Sequence, residues 1–171
     1  MRPAHAKVNL WLNVVGRRDD GYHQLDSLVA FVDLADQVEA RHDDRLSLGL
    51  DGPLAGALAG EADNLVLKAA RLLAERVPDM KSGSFTLDKV LPVAAGIGGG
   101  SADAAAALRL LAQLNNLALD DERVIEVAEL TGADVPVCVN SRACVMTGVG
   151  ETLQPLALPK MPCGGMSLQP F

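Results

Sequence analysis

Apolar and polar side chains alternate from residue 6 to residue 14: Ala6, Val8, Leu10, Leu12 and Val14 fall on one parity, Lys7, Asn9, Trp11 and Asn13 on the other. A period of two is that of a strand, and it places Lys7 and Asn9 on one face. The polar run Gly16-Arg17-Arg18-Asp19-Asp20-Gly21 then predicts a turn, with Tyr22 and His23 following it. Further strands are expected over 27–32, 37–41 and 45–50, an antiparallel start that Asp51-Gly52-Pro53 ends. The pattern next changes period. Leu65, Val66, Ala69, Leu72, Leu73 and Val77 recur at helical spacing, with Asp63 as the expected cap and Pro78 as the stop. A strand over 84–90 leads into a glycine-rich stretch. A helix from Ser101 to about Leu114 is apolar on nearly all sides and so is expected to be buried. A shorter helix over 121–130 stops at Gly132, and strands over 143–146 and 151–156 close the pattern. Strands first and helices packed against them make the expected fold class α+β.

Composition narrows the picture in three ways. With 171 residues and 49% hydrophobic content the chain can bury one ordinary core. A net charge of −7, with no basic stripe interleaved with aromatics, argues against nucleic acid as a partner. No apolar run reaches the length of a membrane span and the first residues lack a continuous apolar segment, so no membrane partner and a cytoplasmic location are expected. Cys138, Cys144 and Cys163 are odd in number and lack Cys-x-x-Cys spacing, which reads as reduced buried thiols. His5 and His42 have no ligand partner at helical or strand spacing, and no metal site of protein ligands is expected.

The chemistry concentrates in Pro92-Val93-Ala94-Ala95-Gly96-Ile97-Gly98-Gly99-Gly100-Ser101-Ala102, between a strand and a helix. Glycines 98 to 100 can take positive φ and let backbone N–H groups approach an anion, and the helix that follows offers unpaired N–H groups and a positive dipole end. A structural turn is the competing reading, although a turn rarely needs three consecutive glycines. Two known phosphate loops are excluded. A P-loop would place a lysine before Ser101, and the dinucleotide fingerprint would need a glycine at 101 and an acid about twenty residues on, where Asn116 stands.

A second candidate is Asp134, in Thr131-Gly132-Ala133-Asp134-Val135-Pro136, between a helix stop and a proline that favours extended geometry in its neighbour. Its carboxylate suits either proton transfer or a turn and cap. Lys7 suits either a charged partner or plain solvation, and Tyr22 and His23 either recognition or a turn.

Taken together these segments resemble the GHMP kinases. Ala6-Lys7-Val8-Asn9-Leu10 resembles the family's opening motif, the 16–23 segment a substrate-recognition loop, 92–102 the ATP loop, and Gly132-Ala133-Asp134-Val135-Pro136 the catalytic aspartate segment. The resemblance runs to about Leu158. It implies the amino-terminal domain of that family, similar in fold to the second domain of ribosomal protein S5, over 1–158, with 159–171 as an irregular tail and the carboxy-terminal domain absent. The Gly-Tyr-His element and the Ala-Lys-x-Asn opening imply ATP-dependent phosphorylation of the 2-hydroxyl of a cytidyl diphosphate ester of methylerythritol, a small-molecule substrate of non-mevalonate isoprenoid biosynthesis. By resemblance Asp134 is the base and Lys7 its orienting cation, Asn9 contacts the substrate, and Tyr22 and His23 hold the cytosine. ATP and Mg2+ are the implied cofactors, with Ser101 the nearest candidate to meet the metal. Where the family often has a second serine and an asparagine, this chain has Ala102 and Asp103, which places a negative charge near the phosphates or at the helix cap. Two other readings stay open: a catalytically impaired nucleotide-binding remnant, and a GHMP kinase for another small alcohol.

Overall fold

The structure, a computed structural model, describes residues 1–17, 21, 23–58, 60 and 64–159. Along them run β1 (Arg2–Arg17), β2 (His23–His42), β3 (Ser47–Asp51), a short 3-10 turn (Ala55–Leu58) and α1 (Leu65–Arg76). Then follow β4 (Gly83–Asp88), α2 (Gly99–Leu114), α3 (Glu122–Thr131), α4 (Val135–Asn140), β5 (Cys144–Gly148) and β6 (Thr152–Pro155). The α+β class expected from the sequence is what the chain adopts, and no helix among the described residues is long and apolar enough to cross a membrane.

β2 organises the sheet. The pattern predicts two strands here, yet one strand of 20 residues runs through Asp33-Leu34-Ala35-Asp36. On one edge it pairs antiparallel with β1, from Arg2 opposite Val38 to Arg17 opposite His23. Its other edge is shared end to end, residues 37–42 by β4 and residues 25–29 by β5. The expected antiparallel start holds for β1 and β2 only. β3 lies parallel to β4, because the connection between them crosses over through α1, which is long enough to bring the chain back to the same end of the sheet.

The alternation along β1 does not translate into a buried and an exposed face. Register shifts lie between His5 and Lys7 and between Asn9 and Trp11, and such bulges reset which way side chains point. Ala6 and Lys7 are consequently both buried, while Leu10, Leu12 and Val14 are exposed. Between Lys7 and Asn9 the register is unbroken, so these two do share a face.

The helices gather on α2, which packs against β1 and β2 on one side and contacts α1, α3 and α4. Its run Ala104 to Ala107 is fully buried, as an all-apolar helix must be, and small side chains let the neighbouring elements approach closely. Val29, Val38, Phe85 and Leu87 from the sheet meet Leu73, Leu108, Leu111 and Val127 from the helices in one cluster. Each such side chain contributes about 1.5–3 kcal/mol relative to exposure.

Three element ends differ from expectation. α1 is capped by Asn64, whose Oδ1 accepts the Val66 N–H at 2.9 Å, whereas the expected cap, Asp63, lies outside the described residues. α2 starts at Gly99 rather than Ser101, with Gly98 as its left-handed cap at φ 64°. Pro136 was expected to favour extended backbone. Instead it sits in the first turn of α4, where its missing N–H would have had no helical partner anyway.

Gly52 closes the turn after β3 at φ 93°, and a Cβ there would stand 2.6 Å from the Lys89 nitrogen and 2.7 Å from its carbonyl oxygen. Gly52→Ala is therefore expected to destabilise the chain by about 2–4 kcal/mol, combining left-handed strain with a backbone clash. Urea unfolding checks it; a midpoint equal to the parent's would show that the turn can move.

Candidate active site

Between β4 and α2 the chain passes through residues 92–98, with Ala94, Gly96 and Gly98 at positive φ of 57°, 70° and 64°. A non-glycine residue held in this region is strained, and such strain gathers at ligand sites. Of glycines 98 to 100, which can all take positive φ, only Gly98 does so; Gly99 and Gly100 already belong to α2 and are helical. Their value lies in close approach. A Cβ on Gly99 would meet Lys89 Nζ at 3.4 Å, and one on Gly100 would meet Leu65 at 3.6 Å.

Residues 92–101 line a cavity of about 440 Å³, together with Leu58, Asn64, Leu65, Lys89 and Asp103. Ala102, grouped with the loop in the sequence, does not line it; the residue is buried, and its N–H donates to the Gly98 carbonyl at 2.8 Å as part of the helix. The N–H groups of the first α2 residues have no helical acceptor, and with the dipole they favour an anion at this end of the cavity. Leu58 and Leu65 supply apolar wall. The residues present thus fit a nucleotide: a cavity with apolar wall continuous with a helix end that favours anions.

Lys7 meets the loop from β1. Its backbone N–H donates to the Ile97 carbonyl at 2.9 Å, and its side chain runs beneath Gly98, where a Cβ would lie 3.2 Å from Lys7 Cβ. Lys7 Nζ then stands 2.9 Å from Asp134 Oδ2, the lysine 4% and the aspartate 37% exposed at the side chain. A buried cation therefore carries a carboxylate that still reaches solvent. Asp134 occupies the cap position of α4 but makes no capping hydrogen bond, so its carboxylate is turned to Lys7 and away from the helix. The bulge beside His5 is what buries Lys7.

Asn9 is exposed on β1, and its Oδ1 accepts from Ser27 Oγ at 3.2 Å. Ser27, fully buried, shares its single hydroxyl proton between Asn9 Oδ1 and the nearer Trp11 carbonyl at 2.8 Å. His23 is exposed at the start of β2, opposite Arg17. Tyr22, Arg18, Asp19 and Asp20 lie outside the described residues, as does Cys163. Cys138 and Cys144 are free and buried, and burial pushes the Cys138 thiol up to about 12, so it stays protonated and unreactive. Among the described residues no group of three or more His, Cys, Asp or Glu side chains is placed to hold a metal ion.

One cluster escaped the sequence reading. Asp103, expected near the phosphates or at the helix cap, lies buried in the second turn of α2, with Oδ2 accepting from Lys89 Nζ at 2.7 Å. Lys89 Nζ also donates to Asp36 Oδ2 at 2.6 Å, and all three side chains are at most 3% exposed. One cation cannot neutralise two carboxylates. Burial pushes the Asp103 carboxyl up to about 7; Lys89 pulls it down, and the neighbouring Asp36 pushes it further up. For Lys89 burial favours the neutral amine, but the two carboxylates outweigh it and the lysine holds its proton more tightly than usual.

A pH prediction follows. The ordinary carboxyl value is 3.8, so near pH 5 the folded chain keeps a proton on Asp103 that the unfolded chain has released. The stability this gives is fully present below about pH 4 and is lost as pH rises through about 7. Thermal melts from pH 4 to 8 should show the parent losing stability over that window relative to Asp103→Asn. Parallel curves for the two would mean that Asp103 titrates normally.

Comparison with known proteins joins these features to a family. Residues 64–142 match the family model described as GHMP kinases N terminal domain. Over this span the chain is similar to the N-terminal domain of the GHMP kinases. The matched span runs from the α1 cap through the glycine loop to α4, and Lys7 reaches it from outside, on β1. Over 158 residues the chain is 70% identical to the 4-diphosphocytidyl-2-C-methyl-D-erythritol kinase of Bradyrhizobium diazoefficiens, covering 92% of this chain and 53% of that protein. It is 68% identical over 159 residues to the protein of the same name from Rhodopseudomonas palustris, covering 93% of this chain and 53% of that one. A crystal structure of 4-(cytidine 5'-diphospho)-2C-methyl-D-erythritol kinase superposes with a TM-score of 0.75 at 40% identity, covering 92% of this chain and 55% of that one. The Methanococcus jannaschii mevalonate kinase, at TM-score 0.65 and 11% identity, shares the fold. The chain spans about half the length of the curated relatives it matches.

Proposed function

We propose that this chain is a GHMP kinase domain that transfers the terminal phosphoryl group of ATP to the 2-hydroxyl of 4-diphosphocytidyl-2-C-methyl-D-erythritol, the substrate named in its relatives of about 70% identity. The observation that carries the reading is the Lys7–Asp134 pair at 2.9 Å, set against Gly98 of the loop that lines the nucleotide-sized cavity. An alcohol is a weak nucleophile, so a carboxylate within reach of its proton lowers the barrier. Asp134 takes that proton. Lys7 orients the carboxylate and, from beneath Gly98, stabilises negative charge that develops on the group in transfer. Amide groups of the loop and the first turn of α2 hold phosphate oxygens, and the cavity walls exclude water from the base and sugar. ATP would supply the phosphoryl group and Mg2+ would neutralise charge on its phosphates; Ser101, at the cavity wall, is the side chain that would meet the ion. Asn9 lies on the face of β1 that carries Lys7, so its side-chain amide can meet the acceptor, while Tyr22 and His23 hold the cytosine. A cytoplasmic location suits a soluble nucleotide ester.

The test incubates the chain with ATP, Mg2+ and the cytidyl substrate and follows ADP. Release above a Lys7→Ala control supports the reading. Calorimetry separates a second reading, nucleotide binding without turnover, which the exposure of Leu10, Trp11 and Leu12 beside Asn9 favours because the acceptor side is open to water. If Tyr22→Ala with His23→Ala leaves turnover unchanged, the acceptor is a different alcohol.

A further inference from the structure

The second edge of β2 is interrupted between residue 29, where β5 pairing ends, and residue 37, where β4 pairing begins. Asp36 stands beside this gap, and its carboxylate takes the place of the missing strand. Oδ1 accepts the N–H groups of Val90 and Leu91 at 2.6 and 2.7 Å, the residues from which the glycine loop departs. Oδ2 accepts Lys89 Nζ at 2.6 Å, and the same Nζ reaches across to Asp103 Oδ2 at 2.7 Å, in the helix to which the loop returns. Both stems of the loop are thereby tied to one point in β2. Gly99 packs against Nζ, where an added Cβ would already be in contact at 3.4 Å, so a change in this spacing bears on the first residue of α2.

We propose that Asp36, Lys89 and Asp103 are positioning residues, a buried clamp that fixes the separation of the loop's two stems and so the spread of amide groups offered to a triphosphate. The clamp is read from these bonds alone; its ligand rests on the kinase reading above. Stabilisation by itself explains the cluster poorly. A buried ion pair is often replaceable by apolar residues without loss, and here two carboxylates share one cation while Asp103 Oδ1 has no hydrogen-bond partner among the described residues. What the cluster does supply is geometry, since its bonds end on the two sides of the loop.

The test compares the parent chain with Lys89→Met/Asp103→Leu, which removes the cation and one carboxylate together, and with Asp103→Asn, which keeps an oxygen for Nζ. In the double variant, amide hydrogen exchange over 92–101 without nucleotide should rise about 10-fold or more while cooperative melting persists. ATP affinity by calorimetry should fall about 10- to 100-fold, and KM for ATP should change more than kcat. Asp103→Asn should return both readouts toward the parent. A cooperatively melting double variant with unchanged exchange over 92–101 would overturn the clamp. Where the double variant does not fold, Asp103→Leu replaces it, and equal exchange in Asp103→Leu and Asp103→Asn would overturn the clamp equally. A parent that binds no ATP would end the kinase reading, and the exchange comparison would then decide the clamp by itself.

Discussion

Asp134→Asn is expected to lower turnover on the order of 10²- to 10⁴-fold, the range a positioned general base supplies, with little change in stability or in ATP affinity. The geometry separates these effects. The substitution is nearly isosteric, and the asparagine carbonyl can still accept from Lys7, so the buried lysine is not left without a partner. α4 loses no cap, because the carboxylate makes no capping hydrogen bond. Nor does Asp134 line the cavity, which leaves nucleotide contacts in place. What is lost is the capacity to take a proton. Steady-state kinetics with saturating ATP and Mg2+, alongside thermal melts, check the outcome. A variant that turns over at the parental rate would assign the proton to another group; one that fails to melt cooperatively would make Asp134 a residue of the fold.

The parts of this site that were legible in the sequence are those whose chemistry is local. Loop 92–101 announces itself because left-handed backbone and close approach select glycine, as at Gly96 and Gly98; the turn holding Asp134 is marked less strongly, since Gly132 at φ 174° is extended backbone that any residue adopts. Lys7 was ambiguous for a physical reason: on a regular strand it would be solvated, and only the register shift beside His5 carries it into the interior. For the same reason the alternation of Leu10, Leu12 and Val14 marks the strand but not a buried face, and all three are exposed. Asp36, Lys89 and Asp103 could not be assembled from spacing, since 53 residues separate Asp36 from Lys89 and their meeting depends on the gap between β4 and β5. Nor does Asp36 stand out within its strand, which also carries Asp26, Asp33, Glu39 and Arg41; only folding shows which of these acids is buried and needs donors. α4 was missed because a proline was read by its effect on the preceding residue rather than by its tolerance in a helix's first turn.

Gly98 is the residue where the nucleotide loop and the catalytic pair touch, so Gly98→Val should damage both at once. At φ 64° an ordinary L residue costs about 1–2 kcal/mol, and a β-branched one more. The new Cβ would also stand 3.2 Å from Lys7 Cβ and 3.3 Å from its Cε. Either response harms function. If the loop withdraws, the Gly98 carbonyl leaves the Ala102 N–H that it holds at 2.8 Å, and the first turn of α2 shifts under the phosphates. If Lys7 withdraws instead, its 2.9 Å contact with Asp134 is lost. Displacements of about 1 Å at a reacting group cost on the order of 10²-fold, and kcat/KM for ATP is expected to fall at least that far. Two neighbouring glycines provide the contrast. Gly96→Ala meets nothing within 4 Å, so it pays only the strain of φ 70° and should lose less. Gly100→Ala is helical, makes ordinary contact with Leu65 at 3.6 Å and gains helix propensity, so folding should tolerate it best. The order Gly98, Gly96, Gly100 in loss of kcat/KM is the signature of a loop braced against Lys7. Equal losses at Gly96 and Gly98 would show that backbone strain alone governs the loop and that the contact with Lys7 is incidental.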